Sequence, residues 1–140
     1  MRHFLFKTPE GLERRAGKLG APDVALEHDP ERVKALLGRK QRVGDHTVGN
    51  SIAIHPMEGC DANPDGRPGE FTRRRYERFA QGGAKLIWIE STAVSGEARS
   101  NPRQLWLCPE TMPDFAKLLE TVRRSHRRAF GRAGDLLEVL

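Results

Sequence analysis

Residues 50–70 read Asn50-Ser51-Ile52-Ala53-Ile54-His55-Pro56-Met57-Glu58-Gly59-Cys60-Asp61-Ala62-Asn63-Pro64-Asp65-Gly66-Arg67-Pro68-Gly69-Glu70. Ile52, Ala53 and Ile54 are too few for a helix, and an apolar run this short, closed by a proline, reads as a buried strand. Pro56 has no N–H to give to a ladder, so the strand should end near His55. The residues after it are turn formers, from Asp61 through Asn63, Pro64, Asp65, Gly66 and Pro68 to Gly69. His55, Met57, Glu58 and Cys60 therefore gather where a buried strand leaves the core, which in α/β folds is the edge that binds ligands.

Downstream, helical spacing covers Glu70 to Gln81, with Tyr76, Phe79 and Ala80 on its inner face and Gly82-Gly83 as its stop. Ala84-Lys85-Leu86-Ile87-Trp88-Ile89-Glu90 reads as a second strand, with Trp88 and Phe79 expected in the core between helix and sheet. Strand, helix, strand makes a parallel βαβ unit with a right-handed crossover. Ser91 to Glu110 reads as a long loop. Another helix opens at Thr111, with Pro113 and Asp114 in its first turn and the stripe Phe115, Leu118, Leu119, Val122, and ends near Gly131. Leu136 to Leu140 reads as a third strand. The order βαβαβ is that of a parallel α/β protein. The last strand has no helix after it, so the pattern fits either a small open domain or the first part of a closed barrel.

Upstream, Phe4 and Phe6 alternate with polar neighbours. Thr8-Pro9-Glu10 looks like an N-cap, a first-turn proline and an acidic first turn. Leu12, Ala16 and Leu19 come next at helical spacing, with Gly20 as the stop. A second short helix is expected from Asp29 to Leu37, with Val33, Leu36 and Leu37 as its apolar face. Arg42 to Val48 reads as a hairpin turning at Gly44-Asp45. The division this suggests is a helical extension over 1–41 and an α/β domain over 42–140.

A chain of 140 residues suits one domain with a modest core. No apolar run approaches the ~18 residues of a membrane span, and the first residues lack a secretory leader's apolar region and cleavage site. Two cysteines, Cys60 and Cys108, are too few and too far apart for a disulfide framework. The expected compartment is the cytoplasm. The net charge of +5 comes with arginines at 73–75 and 78 and at 123, 124, 127, 128 and 132. Acidic Glu70, Glu77, Asp114 and Glu120 share those segments, so solvated helix faces are favoured over a nucleic-acid footprint. His55, Glu58, Cys60 and Asp61 are metal-ligand types, but one turn rarely supplies a coordination sphere, and no metal is expected. By residue type alone Met57 reads as core.

Gly49 to Met57 resembles the N-R-I-x-x-A-P-M segment that opens the barrel of the old yellow enzyme family, FMN-dependent NAD(P)H:flavin oxidoreductases. Asp65-Gly66-Arg67-Pro68 resembles that family's D-G-x-x-T loop. Gly82-Gly83-Ala84-Lys85-Leu86-Ile87-Trp88-Ile89-Glu90-Ser91-Thr92-Ala93-Val94 resembles its G-G-x-G-L-I-I-x-E-x-T-x-V strand, and Ser95 to Arg99 matches an S-x-x-G-R turn loosely. Three linked segments in the family's order, within roughly Val43 to Arg128, carry the likeness.

The resemblance implies a (β/α)8 TIM barrel with FMN at the carboxyl ends of its strands. This chain would supply its N-terminal portion: two βα units and the start of a third strand, preceded by two short helices and the hairpin. It implies flavin contacts from His55, Pro56, Met57, Glu58 and Ser91, and a substrate-pocket thiol at Cys60. His55 stands where the family has a small residue, and Glu58 where it has a neutral hydrogen-bonding side chain. A carboxylate beside the ring would disfavour an anionic reduced flavin. The implied reaction passes hydride from NADH or NADPH through FMN to an activated alkene or related small-molecule acceptor. The family's remaining catalytic and phosphate-binding segments would lie beyond Leu140, so the chain alone is expected to be inactive. No catalytic residue is assigned within it, no nucleic-acid or membrane partner is expected, and a homo-oligomer is left open. A small basic α/β binding module, or a noncatalytic fragment that completes its sheet with another chain, are the other readings.

Overall fold

The computed structural model describes residues 8–132 and 134–140; the alternation at Phe4 and Phe6 lies outside them. The chain divides into two compact units, Met1–Leu37 and Gly38–Leu140. In the first, α1 runs Pro9–Lys18, and Thr8 Oγ accepts from the Gly11 N–H at 3.3 Å, as the Thr-Pro-Glu signature anticipates. α2 runs Pro30–Leu37. Neither helix has a fully buried residue, so their apolar stripes stay partly open to solvent.

The second unit opens with the hairpin β1 (Gln41–Val43) and β2 (His46–Val48), whose register places Val43 opposite His46. Gly44 takes a φ of 57°, the positive value that the first position of such a two-residue turn needs. β3 (Ala53–Ile54), α3 (Glu70–Gln81) and β4 (Leu86–Trp88) come next, in the expected order.

The segment 91–110, expected as loop, holds two further strands, β5 (Thr92–Ala93) and β6 (Leu105–Trp106), paired in parallel. Each is two residues long, too short to print a period on the sequence. α4 (Met112–Phe130) and β7 (Leu137–Val139) complete the unit. β3, β4 and β7 form one parallel sheet in that spatial order, with Ile54 opposite Ile87 and Ile87 opposite Glu138.

Ile87 and Ile89 point under the helices and join Tyr76 and Ala80 of α3, Phe115, Leu118 and Val122 of α4, Ala62 and Leu105 in one buried cluster. Phe79 packs against its edge. Trp88 does not lie in that core; it is 48% exposed. Successive strand residues alternate between faces, and Ile87 and Ile89 already occupy the helix-covered side, so Trp88 must take the other.

At the amino end of β4, a buried polar group joins three elements. Lys85 Nζ lies 2.7 Å from His126 Nε2 on α4 and 2.8 Å from Asp135 Oδ1 ahead of β7. His126 Nδ1 lies 2.8 Å from the Ala80 carbonyl at the end of α3. A carbonyl only accepts, so Nδ1 carries the proton and Nε2 receives the Lys85 hydrogen bond.

Candidate functional site

β3 and β4 are adjacent and parallel, so both deliver their following residues to the same edge of the sheet. After β3 the chain turns sharply at Pro56, where the Met57 N–H donates to the His55 carbonyl at 2.8 Å. After β4 come Ile89, Glu90 and Ser91. Pro56 and Ser91 meet in a cleft of about 260 Å³, lined also by Trp88, Ile89, Glu90, Thr92 and Leu140 at the end of β7. Gln104 Nε2 donates to Ser91 Oγ at 2.9 Å, which fixes that small side chain.

The other residues implied by the resemblance lie around the cleft rather than in its lining. Met57 is 78% exposed, so it is not the core methionine that its type alone suggests. His55 and Cys60 are exposed, and Cys60 has a φ of 50°. Glu58 turns to the loop between β5 and β6, where Asn101 Nδ2 and Ser100 Oγ both donate to its carboxylate. Asn101 Nδ2 also lies 3.6 Å from Cys60 Sγ. Asp61 faces α3, receiving Thr72 Oγ1 at 2.7 Å and Arg75 Nη2 at 2.8 Å. Glu58 and Cys60 thus share Asn101 while Asp61 turns away to α3, and among the described residues no group of three or more His, Cys, Asp or Glu could hold a metal.

Behind the cleft sits a group that periodicity does not reveal. The Glu90 carboxylate, its side chain 1% exposed, receives Arg75 Nη2 on one oxygen and the Gly59 N–H on the other, both at 2.6 Å. The Glu90 N–H donates to Tyr76 Oη at 2.7 Å. Burial, the largest influence, pushes the Tyr76 phenol up to about 12, so Tyr76 is a poor proton donor at neutral pH and serves as an acceptor for the strand end. The sequence signal for this group is the pairing of a charged residue at the close of an apolar strand with an arginine on the preceding helix.

The D-G-R-P loop is anchored separately. Arg67 Nε donates to Asp114 Oδ2 of α4 at 3.0 Å, and Arg73 of α3 reaches the other Asp114 oxygen at 3.4 Å. Several arginines of the basic clusters are thus engaged within the fold: Arg73, Arg75, and Arg123, which lies 2.9 Å from Glu138.

A cleft at the carboxyl ends of adjacent parallel strands is a feature of α/β proteins, open or barrel-like, which bind ligands at that edge. No family model and no curated protein sequence matches the chain. Solved structures do. An old yellow enzyme homologue from Zymomonas mobilis is 23% identical with a TM-score of 0.56, the match covering 64% of this chain and 25% of that one. Morphinone reductase in complex with tetrahydroNAD is 21% identical with a TM-score of 0.56, covering 64% and 24%. The old yellow enzyme from Trypanosoma cruzi is 21% identical with a TM-score of 0.54, again over 64% and 24%. The chain spans about a quarter of the length of these structures, and at these identities the likeness is one of fold. It agrees with the resemblance carried by residues 49–57, 65–68 and 82–94. Among the described residues, no helix is long and apolar enough to cross a membrane.

Proposed function

We propose that this chain forms the first three strands of an old yellow enzyme-like barrel and supplies part of the wall against which the ring of FMN rests. The observation that carries the reading is the meeting of Pro56 and Ser91 in one strand-end cleft. These residues, far apart in the sequence, are among those that the resemblance assigns to the flavin. The donor set fits a flat, largely apolar ring: Pro56, Trp88 and Leu140 offer apolar surface, the Glu90 carboxylate is turned to Arg75 and the Gly59 amide, and Ser91 is too small to obstruct it. It does not fit a phosphate, because no basic side chain among the described residues lines the cleft; barrels commonly build that anchor from the loops after their last two strands.

When bound, FMN would supply two-electron transfer between NADH or NADPH and an activated alkene or related acceptor. The part played by these residues is to bind and orient. Pro56 sets the turn so that Met57 projects from the edge, and Gln104 fixes the Ser91 side chain in the cleft wall. Glu58, engaged with Ser100 and Asn101, ties the turn to the neighbouring loop instead of presenting its charge to the ring.

The test is a titration of the chain with FMN and with lumiflavin, which has the ring but no phosphate, followed by flavin fluorescence. The expected result is weak binding of both with similar affinity, and loss of FMN on gel filtration. Binding of FMN far tighter than lumiflavin would place a phosphate anchor in this chain, and binding of neither would overturn the reading.

A further inference from the structure

We propose that Arg75 is a positioning residue of the strand-end site: its guanidinium, held on Glu90 and Asp61, fixes the height of the Pro56–Cys60 turn over the ends of β3 and β4. The proposal rests on the flavin reading of that site and adds to it a residue that does not line the cleft.

The turn after β3 is tied to the loop between β5 and β6 through Glu58, and to the end of β4 by a backbone contact. Met57 projects into solvent, and its N–H is spent within the turn. The tie to the neighbouring strand is the Gly59 N–H, which donates to Glu90 Oε2 at 2.6 Å. Glu90 in turn cannot shift, because Arg75 Nη2 holds Oε1 at 2.6 Å and Tyr76 Oη holds its N–H at 2.7 Å. The same Arg75 nitrogen reaches Asp61 Oδ1 at 2.8 Å, and so pins the far end of the turn. Thr72 Oγ1 donates to that Asp61 oxygen from one turn earlier on α3. The guanidinium carbon lies over the Tyr76 ring, 5.2 Å from its centre.

Gly59 gives the contact its specificity. A Cβ built there would lie 2.0 Å from Arg75 Nη2 and 2.4 Å from Cζ. The backbone therefore lies flat against the guanidinium, and any side chain at 59 must push the two apart. A lysine ammonium sits one bond nearer the backbone than Arg75 Nη2 and has no planar face to lay against Gly59, so lysine at 75 does not replace it. Charge-assisted hydrogen bonds of this kind are short and strong where water is excluded. Pro56 lies three residues before Gly59, and Ser91 one residue after Glu90. A shift of the Glu90 carboxylate therefore moves both walls of the cleft, and binding sites tolerate only about 0.5 Å of such looseness.

The experiment compares the full chain with Arg75→Lys and Gly59→Ala by amide hydrogen exchange, urea unfolding and lumiflavin titration. Gly59→Ala removes no charge, so it tests the contact even if Arg75→Lys folds poorly. Both variants should speed exchange of the residue 59 amide by about tenfold, equivalent to one net hydrogen bond. Both should weaken lumiflavin binding severalfold while α4 stays as protected as in the unsubstituted chain. Unchanged exchange at position 59 would overturn the proposal. So would faster exchange with unaltered lumiflavin affinity, since the contact would then support the fold alone. If the unsubstituted chain binds no lumiflavin, the flavin reading fails by itself, and the exchange at position 59 then decides whether Arg75 fixes the turn.

Discussion

Replacing His126 with glutamine isolates the buried group at the amino end of β4. In the folded chain the His126 imidazole is held below its usual 6.5, chiefly by burial and further by the charge of Lys85, against the opposing effect of its bond to the Ala80 carbonyl. A group with a depressed folded pKa adds stability that is fully present above the unfolded value. Here that stability is lost as pH falls below 6.5 toward the folded value. One proton taken up only by the unfolded chain gives a slope of about 1.4 kcal/mol per pH unit. The other titratable groups facing this site act differently. Asp135, pushed up by burial but held below 3.8 by Lys85 and Arg132, loses its contribution only in stronger acid. Glu138, outside the group but near it on β7, is pushed above 4.5 by burial, so its effect has the opposite sign. Glutamine keeps one donor and one acceptor and does not titrate, so subtracting the variant's curve cancels Asp135 and Glu138. At about pH 8, His126→Gln should cost about 1–2 kcal/mol for imperfect replacement of two buried hydrogen bonds. Below pH 6.5 the gap to the unsubstituted chain should close, by at most about 1.4 kcal/mol per unit, until the folded value is passed. Urea unfolding followed by circular dichroism between about pH 5 and pH 8 reads both quantities. A variant that kept the unsubstituted pH dependence would refute the assignment of that slope to His126.

Two further substitutions probe the core and the turn. Leu118 is 1% exposed between α4 and the sheet, so Leu118→Ala should cost about 3–5 kcal/mol; a urea midpoint shift equivalent to less than about 1 kcal/mol would mean that α4 does not pack as described. Glu58→Thr removes the acceptor for Ser100 and Asn101, so amide exchange should quicken through residues 100–103 while lumiflavin affinity does not rise. A large gain in flavin affinity would instead put the carboxylate against the ring.

The parts of the fold legible in the sequence are those that leave a local pattern. α3 is readable to its ends because Tyr76 and Ala80 keep helical spacing and Gly82-Gly83 stops it. The meeting of Pro56 with Ser91 comes from β3 and β4 being neighbours in a parallel sheet. Strand periodicity fixes which residues share a face but not which face the helices cover, and for that reason Trp88 lies outside the core where its apolar surroundings in the sequence place it. Strict alternation would put Trp88 and Glu90 on one side, yet Trp88 is 48% exposed and the Glu90 side chain 1%. β4 ends at Trp88, so alternation no longer binds Glu90, and its carboxylate is aimed by Arg75 and the Gly59 amide, 15 and 31 positions away. Glu58 is the same case across the cleft, aimed by Ser100 and Asn101, 42 and 43 positions downstream. At the end of a strand, where the backbone stops dictating side-chain direction, charged residues point to whichever distant partner offsets their desolvation. The residues that shape this site are therefore the ones whose orientation a local pattern reads least well.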